Sequence, residues 1–578
     1  MPTSGDTEPA EVPAAQRYAW LATVLACGAA LRAHRLAWGL PGFIFADTKV
    51  YFVEPAMRAA AEGDWALRWF THPPPFPYFV SLGTFLWAHI TGREIALTGI
   101  QARADMAAIA IGGRAAITLL SLALIVVVYL LCKRLLGTRT ALWAAAFFAL
   151  SPLHVIESHR INVDTPMLLL AMLSAHQAVV AYQKTRTTNL WWAFALAATA
   201  GATKYTGLFA GTLPIWVVLR WPATTWSRRI RMLTTGAVIS LFCFALLMSP
   251  ALLNGDTFVR NVVDLFYIGI FQGAPGQNLV GESWVYAPYL YLVFVGLPFM
   301  LGWPVALASA LGIPALALHR RQALTLITAA ALPFFLLQGA AETATTRYYF
   351  PLAPYLAMTA AALIEWIRHR SNVVGIVLGG LIIAYTATLT WSQVNRIGGA
   401  PQAAIGAALR TLSTAKRETG ISLRAINEPK LIVAYPSSVT LQYDAIDPYV
   451  RRGRYRKLIF FPSELRWPGE AVAPGEALRE DRRWVVSNGL DVVVVPSRWE
   501  NLRRRASFRG REEQFYQNLT TGRLGLRQAA HEETTYFTQS WYEWADPTLD
   551  TLWTAGIAGY KLYVRDDLLS ALAKRAHR

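Results

Sequence analysis

The chain has 578 residues, of which 54% are hydrophobic and only 16% are charged, and its formal net charge is +18. This composition excludes a string of soluble domains and predicts an integral membrane protein with some soluble mass attached. Much of the Lys and Arg lies in short clusters between apolar segments, so membrane topology explains the charge better than a nucleic-acid partner does.

The chain begins with an acidic, Pro- and Ala-rich stretch and continues into apolar segments. Residues 1–17 are unlike a cleavable signal peptide, and we expect a short disordered cytoplasmic tail. Apolar segments long enough to span a bilayer begin near Tyr18, and we count eleven of them. The ten that follow the first are 114–132, 140–156, 164–182, 190–203, 204–220, 233–253, 288–311, 322–340, 350–367 and 373–392.

Five basic clusters lie between these segments, and two segments separate each cluster from the next. All five therefore fall on one face of the membrane, which the positive-inside rule identifies as the cytoplasm. This regularity supports the count of eleven, and it requires residues 190–220 to form two short helices that turn near Lys204. The clusters are Lys133, Arg134 and Arg139; Lys184 and Arg186; Arg220, Arg228, Arg229 and Arg231; Arg320 and Arg321; and Arg368 and Arg370.

The predicted outer face carries 157–163, the turn at Lys204, 254–287, 341–349 and two longer regions. The first outer segment, 41–113, contains the amphipathic stretch EPAMRAAAEGDWALRWF and the Pro-broken stretch THPPPFPYFVSLGTFLWAHITG, and we expect both to form helices along the membrane surface. The second region is 396–578, where strand-like LIVAYP, KLIFFP, DVVVVPS and YKLYVR alternate with charged helical stretches. This pattern predicts an external α/β soluble domain after a transmembrane domain that covers 18–395.

Two carboxylates lie at the outer ends of apolar segments. Asp47 is in GFIFADTKVYFVEP, and Asp164 is in SPLHVIESHRINVDTP. An ionised carboxylate near a bilayer is energetically costly, and it usually serves chemistry, ion handling or helix pairing. Each also has a simpler interpretation: Asp47 as a loop residue or helix cap, and Asp164, which precedes Thr-Pro, as an N-cap. For Asp164 we expect capping and a role in a site together.

The order of several motifs over residues 18–395 is also informative. FADTKVY follows the first helix, and THPPPFPYF, CKRLLGTRTALWAAAFFALSPLHVIESHRINVDTP, GATKYTGLF and TTRYYFPLAPYLA come after it. In this order they resemble the polyprenyl-phosphate-sugar-dependent membrane glycosyltransferases with the C-type fold. This group contains the protein O-mannosyltransferases and the aminoarabinose transferases, and it is similar to glycosyltransferase family 39. One position departs from the pattern, because Thr48 stands where a Glu often follows the family's Asp.

The resemblance implies an inverting enzyme that moves a sugar from a polyprenyl phosphate to a hydroxyl acceptor on the outer face. It implies that Asp47 is the general base and that Asp164 positions the acceptor or the first outer segment. Cations are needed where negative charge grows on the leaving phosphate. The candidates for binding the donor phosphate are Lys204, Arg347 and His72, with Arg160 and His159 behind them.

Simpler roles exist for these side chains as well. Lys204 could extend its charge to the membrane surface, Arg347 could anchor there beside two tyrosines, and His72 could begin a rigid turn before three prolines. The His residues show no recognisable metal-ligand spacing, so we predict no metal site and no cofactor, and a divalent cation is left open.

Two other functions stay open from the sequence. One is an oligosaccharyltransferase-like enzyme that uses a pyrophosphate-linked glycan, and the other is a multi-pass transporter. Transporters usually contain internal repeats and bind substrate near the bilayer midplane, whereas the charges of this chain lie at outer helix ends. We therefore expect an enzyme of the bacterial plasma membrane. Protein, lipid and glycan hydroxyls are all left as acceptors.

Overall fold

The computed structural model describes twelve ranges of the chain. The predictions for Asp47 and for residues 1–12 lie outside the described residues. The described ranges are 13–38, 40, 48–266, 288–340, 346–398, 408–414, 416, 431–436, 455–460, 473–496, 511–533 and 559–576.

The described part of the chain before residue 399 is built from helices. Its α-helices are α1 (Ala14–Ala33), α2 (Glu54–Glu62), α3 (Pro75–Thr91), α4 (Gly99–Leu136), α5 (Thr138–Ala149), α6 (Pro152–Glu157), α7 (Asp164–Lys184), α8 (Thr187–Thr203), α9 (Thr212–Leu219), α10 (Trp226–Leu252), α11 (Gly255–Phe266), α12 (Pro288–Tyr291), α13 (Leu297–Leu301), α14 (Trp303–His319), α15 (Arg321–Ala340), α16 (Ala353–Arg370) and α17 (Asn372–Gly398). Tyr205–Gly211 and Thr346–Leu352 are 3₁₀-helical, and Thr48–Val53 and Leu292–Gly296 are π-helical.

Each of the eleven predicted apolar segments overlaps a helix, but fewer helices could cross a bilayer alone. Among the described residues, six helices are long and apolar enough, and a seventh span results if the bent pair Leu292–Leu301 and Trp303–His319 counts as one. One predicted segment, 140–156, is not a single long helix because it is divided into α5 and α6. The second of these helices begins at Pro152, which is in its first turn. The chain is thus a multi-pass membrane protein, and the count of eleven stays a prediction.

The fourth helix is longer than its predicted span. It begins at Gly99, well before residue 114, and its 38 residues extend over roughly 57 Å, against a hydrocarbon core of about 30 Å. Residues 99–113 of the first outer segment therefore continue into the predicted span 114–132 as one helix. We expect the first turns of α4 to stand above the membrane on the outer side.

The two surface helices expected in 41–113 are only partly as predicted. Helix α2 ends at Glu62 because Gly63 adopts a left-handed backbone with φ of 68°, so residues 64–74 form a loop in place of the expected helix. Helix α3 covers the Pro-broken stretch, beginning among its prolines. Its exposed apolar side chains follow helical spacing: Phe79, Leu82, Leu86 and Ile90. Such a stripe fits contact with lipid.

The predicted turn at Lys204 is confirmed. Helix α8 ends at Thr203, Lys204 is extended, and the chain reverses through the 3₁₀ turn into α9. The reversal brings backbone very close to backbone: a Cβ at Gly207 would lie 2.3 Å from the carbonyl oxygen of Ala200. Only glycine fits at this position, and it allows the turn to pack directly against the end of α8.

The five basic clusters lie at the ends of α4, α7, α9, α14 and α16, where each is followed by a short turn into the next helix.

The predicted sides of the membrane can be tested by cysteine labelling. Replacing Cys27, Cys132 and Cys243 by Ser gives a background without native cysteines for labelling an introduced cysteine. In intact cells we expect a membrane-impermeant maleimide to label Gln517→Cys, an exposed position in the C-terminal region. Thr185→Cys, exposed at a predicted cytoplasmic turn, should react only after permeabilisation. The opposite pattern would reverse the assigned sides.

The described part of the C-terminal region contains a five-stranded sheet with the order β2–β1–β3–β5–β4. Strands β1 (Leu431–Pro436), β2 (Tyr455–Phe460) and β3 (Val492–Pro496) pair in parallel, and β4 (Leu526–Glu533) and β5 (Gly559–Arg565) extend the sheet antiparallel. Helices Pro474–Ser487, Arg511–Thr520 and Asp566–Ala576 accompany the strands. The carboxylate of Asp491, fully buried before β3, is neutralised by Lys416 and by Arg565 at 3.0 Å.

Candidate active site

The second predicted carboxylate forms an ion pair with the predicted phosphate-binding lysine. Asp164 is the first residue of α7 and is 3% exposed, and its carboxylate accepts a hydrogen bond from Nζ of Lys204. The two residues are separated by 40 positions but meet because the α8 turn returns to the start of α7. The side chain of Lys204 retains 17% exposure.

The expectation that Asp164 caps α7 is wrong. Val163 occupies the N-cap position, and its side chain makes no capping hydrogen bond. Instead, Oδ1 of Asn162 accepts a hydrogen bond of 3.1 Å from the backbone N–H of Thr165. Asn162 thus satisfies one of the free N–H groups of the first turn. The carboxylate of Asp164 is thereby free of the capping role and is available to hold Lys204.

An aromatic ring connects the two cations that the sequence proposed for the phosphate. Nζ of Lys204 lies 4.9 Å from the ring centroid of Tyr348, and Cζ of Arg347 lies 5.5 Å from the same centroid. Both distances are within the range of a cation–π interaction. Tyr348 belongs to the 3₁₀ segment before α16, so the turn after α8 and the end of the loop before α16 meet at this ring.

Glu157 is a part of this site that the sequence analysis missed. It ends α6, is 2% exposed, and its Oε1 lies 3.0 Å from Nη1 of Arg160. Burial raises the pKa of Glu157, the nearby Arg160 opposes this shift, and Asp164, Arg347 and Lys204 are close enough to contribute as well. The i,i+3 spacing of Glu157 and Arg160 at a helix end was the available signal.

We call these five side chains the charged cluster: Glu157, Arg160, Asp164, Lys204 and Arg347. It combines three cations with two carboxylates, so it holds one more positive than negative charge when all are ionised. A partly buried site with a single surplus cation attracts a singly charged anion, because the low local dielectric strengthens the attraction. Within the described residues, no group of three His, Cys, Asp or Glu side chains is placed to hold a metal ion.

His159 does not join the charged cluster. Its side chain is fully buried, with Nδ1 at 2.9 Å from the carbonyl oxygen of Val155 and Nε2 at 2.8 Å from that of His34. Burial lowers the pKa of His159 to about 4, so the ring is neutral at physiological pH. Both ring nitrogens face backbone carbonyls, which leaves no polar atom for a phosphate. The structure therefore gives His159 a backbone-binding role in place of the predicted one.

His72 lies in a neighbouring pocket. Its ring is 4.8 Å from the ring of Tyr51 and 5.5 Å from that of Phe52, and it lines a cavity of 110 Å³. The loop that carries His72 is fixed at Phe70, whose carbonyl accepts a 2.8 Å hydrogen bond from Oη of Tyr205. Since Tyr205 follows Lys204 directly, the His72 loop is anchored beside the lysine.

The residue after the predicted base lies against the loop that leads to Asp164. Thr48 is 3% exposed, and its Oγ1 donates a hydrogen bond of 3.3 Å to the carbonyl oxygen of Ile161. A glutamate at this position, when ionised, has no proton to donate to that carbonyl. The position where this chain departs from the family pattern, Thr48, therefore makes a contact that requires a hydroxyl donor. Asp47 itself lies outside the described residues.

Comparisons with known proteins identify the fold. Residues 107–249 match the family model described as dolichyl-phosphate-mannose-protein mannosyltransferase, and no curated protein sequence matches the chain. ArnT from Cupriavidus metallidurans bound to undecaprenyl phosphate is similar in structure, with a TM-score of 0.50 and 14% identity. That match covers 85% of this chain and 95% of ArnT. The chain has the C-type glycosyltransferase fold.

A second solved structure supports the same fold. The oligosaccharyltransferase of Archaeoglobus fulgidus in the apo form has a TM-score of 0.51 at 11% identity, and the match covers 92% of this chain and 75% of that one. At such identities the likeness concerns the fold, because unrelated site chemistry can be built on one fold. The resemblance read from the motifs is thus confirmed as a C-type fold, with a family match over the segment that contains Asp164 and Lys204.

Proposed function

We propose that the protein is an inverting glycosyltransferase that moves a sugar from a polyprenyl phosphate to a hydroxyl acceptor on the outer face of the membrane. The charged cluster carries this proposal, because it places Lys204 and Arg347 around one aromatic ring, at helix ends on the predicted outer side. The C-type fold and the family match over 107–249 support the reaction class.

In the proposed reaction, the acceptor oxygen attacks the anomeric carbon of the donor sugar. The new carbon–oxygen bond forms as the bond between the anomeric carbon and the phosphate oxygen breaks, and the electron pair of that bond stays on the phosphate. The carboxylate of Asp47 takes the acceptor proton. A single displacement of this kind inverts the anomeric configuration and needs one base, in agreement with the one carboxylate of the Asp motif.

The cations of the cluster suit a donor whose leaving group is a phosphate. A sugar phosphodiester carries one negative charge. As the donor bond breaks, a second negative charge grows on the phosphate, and Lys204 and Arg347 stabilise it.

Asp164 has a defined task in this proposal. Its ion pair holds the ammonium group of Lys204 in place, so Asp164 acts on the donor through the lysine. This role replaces helix capping as the reason for a carboxylate at the start of α7. Arg160, held by Glu157 at 3.0 Å, fixes the loop between α6 and α7 and supplies the third positive charge.

The proposal is tested with purified protein in liposomes. Sugars radiolabelled on polyprenyl phosphate and on polyprenyl pyrophosphate are supplied with membranes of the source cell as the acceptor, and released carrier and labelled product are measured. We expect release of polyprenyl phosphate and a product with inverted anomeric configuration. Consumption of only the pyrophosphate-linked donor would favour the oligosaccharyltransferase-like alternative. Passage of sugar or ions across the membrane without transfer would favour a transporter.

A further inference from the structure

A buried arginine on α4 binds the turn that follows α1. Arg114 is 3% exposed, and its Nη1 donates hydrogen bonds to the carbonyl oxygens of Leu36 at 2.6 Å and Trp38 at 2.8 Å. Its Cζ also lies 5.7 Å from the ring centroid of Trp38. The buried guanidinium donates to two carbonyl oxygens of one turn. Moving the turn would leave those carbonyls unpaired, which is unfavourable, so Arg114 fixes the position of the turn.

The same turn is held from a second side by the loop between α6 and α7. Nε1 of Trp38 donates a hydrogen bond of 3.3 Å to the carbonyl oxygen of His159, and Nε2 of His159 lies 2.8 Å from the carbonyl oxygen of His34. The turn includes Arg35 with φ of 59°, a left-handed backbone that is strained for a residue with a side chain. Such a conformation persists only where the surroundings impose it.

Beyond the turn, Thr48 begins the next continuous described range, and it also contacts the loop between α6 and α7. Oγ1 of Thr48 donates to the carbonyl oxygen of Ile161. The residues on both sides of the segment 39–47 in the sequence are therefore fixed to the same short loop, which runs from Glu157 to Asp164. This is the segment that contains Asp47.

We infer that Arg114 is a positioning residue. Together with Trp38 and His159, it holds the turn 34–38 in a fixed position against the loop 157–163. The inference rests on the proposed function for its catalytic consequence: it aligns the part of the chain that carries the base with the part that holds the donor phosphate. A displacement of about 1 Å between such groups lowers turnover by a factor of up to ~100. Arg114 acts through the turn, to which it donates its hydrogen bonds.

The test compares Arg114→Met with Arg114→Lys in the transfer assay, and it also measures donor affinity. We expect Arg114→Met to lower kcat by about 10- to 100-fold and to leave donor affinity unchanged, because Lys204 and Arg347 are untouched. Arg114→Lys retains the positive charge and hydrogen-bond donors, so it should restore most of kcat. The matched control is Arg103→Met, about three turns earlier on α4, which should keep wild-type kcat.

Hydrogen exchange gives a readout that does not depend on transfer. In Arg114→Met, amides in peptides covering 34–50 should exchange on the order of tenfold faster, whereas Arg103→Met should leave them unchanged. A wild-type protein that transfers no sugar would refute the proposed function, and the exchange result would still decide whether Arg114 fixes the turn. Unchanged exchange, an equal effect of Arg103→Met, or a parallel loss of donor affinity would overturn the inference.

If Arg114→Met does not fold, the variant Trp38→Phe provides a second test of the same proposal. It keeps an aromatic ring beside Arg114 and removes the Nε1 donor to His159 together with the five-membered ring of the indole. The loss of one hydrogen bond should lower kcat by about three- to tenfold at unchanged donor affinity. Wild-type kcat in this variant would contradict the proposal that the turn 34–38 is held in a fixed position against the loop 157–163.

Discussion

Replacing Asp47 by Asn is expected to lower turnover by a factor of ~10² to 10⁴, the usual contribution of a general base. Asn keeps the size of the side chain and most of its hydrogen bonding but cannot accept the acceptor proton. Donor binding should be nearly unchanged, because the charged cluster is intact. The measurement is kcat for sugar transfer in liposomes, together with the Kd for the donor, so that loss of chemistry is separated from loss of binding.

The control for this variant is another carboxylate in the same outer segment. Asp64 lies in the loop after α2 and pairs with Nε of Arg58 at 3.3 Å, apart from the charged cluster. Asp64→Asn should therefore retain kcat near wild type. If Asp47→Asn also transferred sugar near the wild-type rate, Asp47 would not be the base, and Glu54 and Asp164 would be the next candidates.

Removal of the cluster's cations should weaken donor binding. A hydrogen bond to a charged group contributes about 1.5–3 kcal/mol, so Lys204→Met and Arg347→Met should each raise the donor Kd by roughly 10- to 100-fold. The binding of polyprenyl-phosphate sugar to each purified variant gives the value directly. Lys184→Met, which removes an exposed lysine at a predicted cytoplasmic turn, should keep the wild-type Kd.

The partner of Lys204 complicates one of these variants. Lys204→Met leaves the buried carboxylate of Asp164 without its cation, which destabilises the folded protein. The double variant Lys204→Met/Asp164→Asn removes this unpaired charge, and it should recover thermal stability without recovering donor affinity. If affinity returned with stability, Lys204 would serve folding alone. Asp164→Asn by itself should lower donor affinity less than Lys204→Met, because the lysine remains.

Features that follow from local pattern were predictable from the sequence. The turn at Lys204 was required by the spacing of the basic clusters, since one continuous helix would have moved the third cluster to the other face. The end of α2 was missed although Gly63 is a strong helix terminator, because the amphipathic pattern continues into residues 64–70. A glycine after a short helix outweighs the hydrophobic periodicity that follows it.

Contacts between distant segments could not be predicted from local pattern. The sequence suggested that Asp164 caps α7, whereas its partner, Lys204, lies on another helix end and capping falls to Asn162. His159 was grouped with the phosphate ligands because it adjoins Arg160, but its neighbours along the chain do not reveal that its ring is enclosed by carbonyls. Pairing of buried charges depends on tertiary packing, which a single sequence does not display.

The donor site can be tested by a structure of the protein with bound polyprenyl phosphate, determined by electron cryo-microscopy in lipid nanodiscs. We expect the phosphate to lie between the ammonium group of Lys204 and the guanidinium of Arg347, beside the ring of Tyr348. The acceptor side should face the segment that carries Asp47. A phosphate bound away from Lys204 and Arg347 would contradict the assignment of the charged cluster as the donor site.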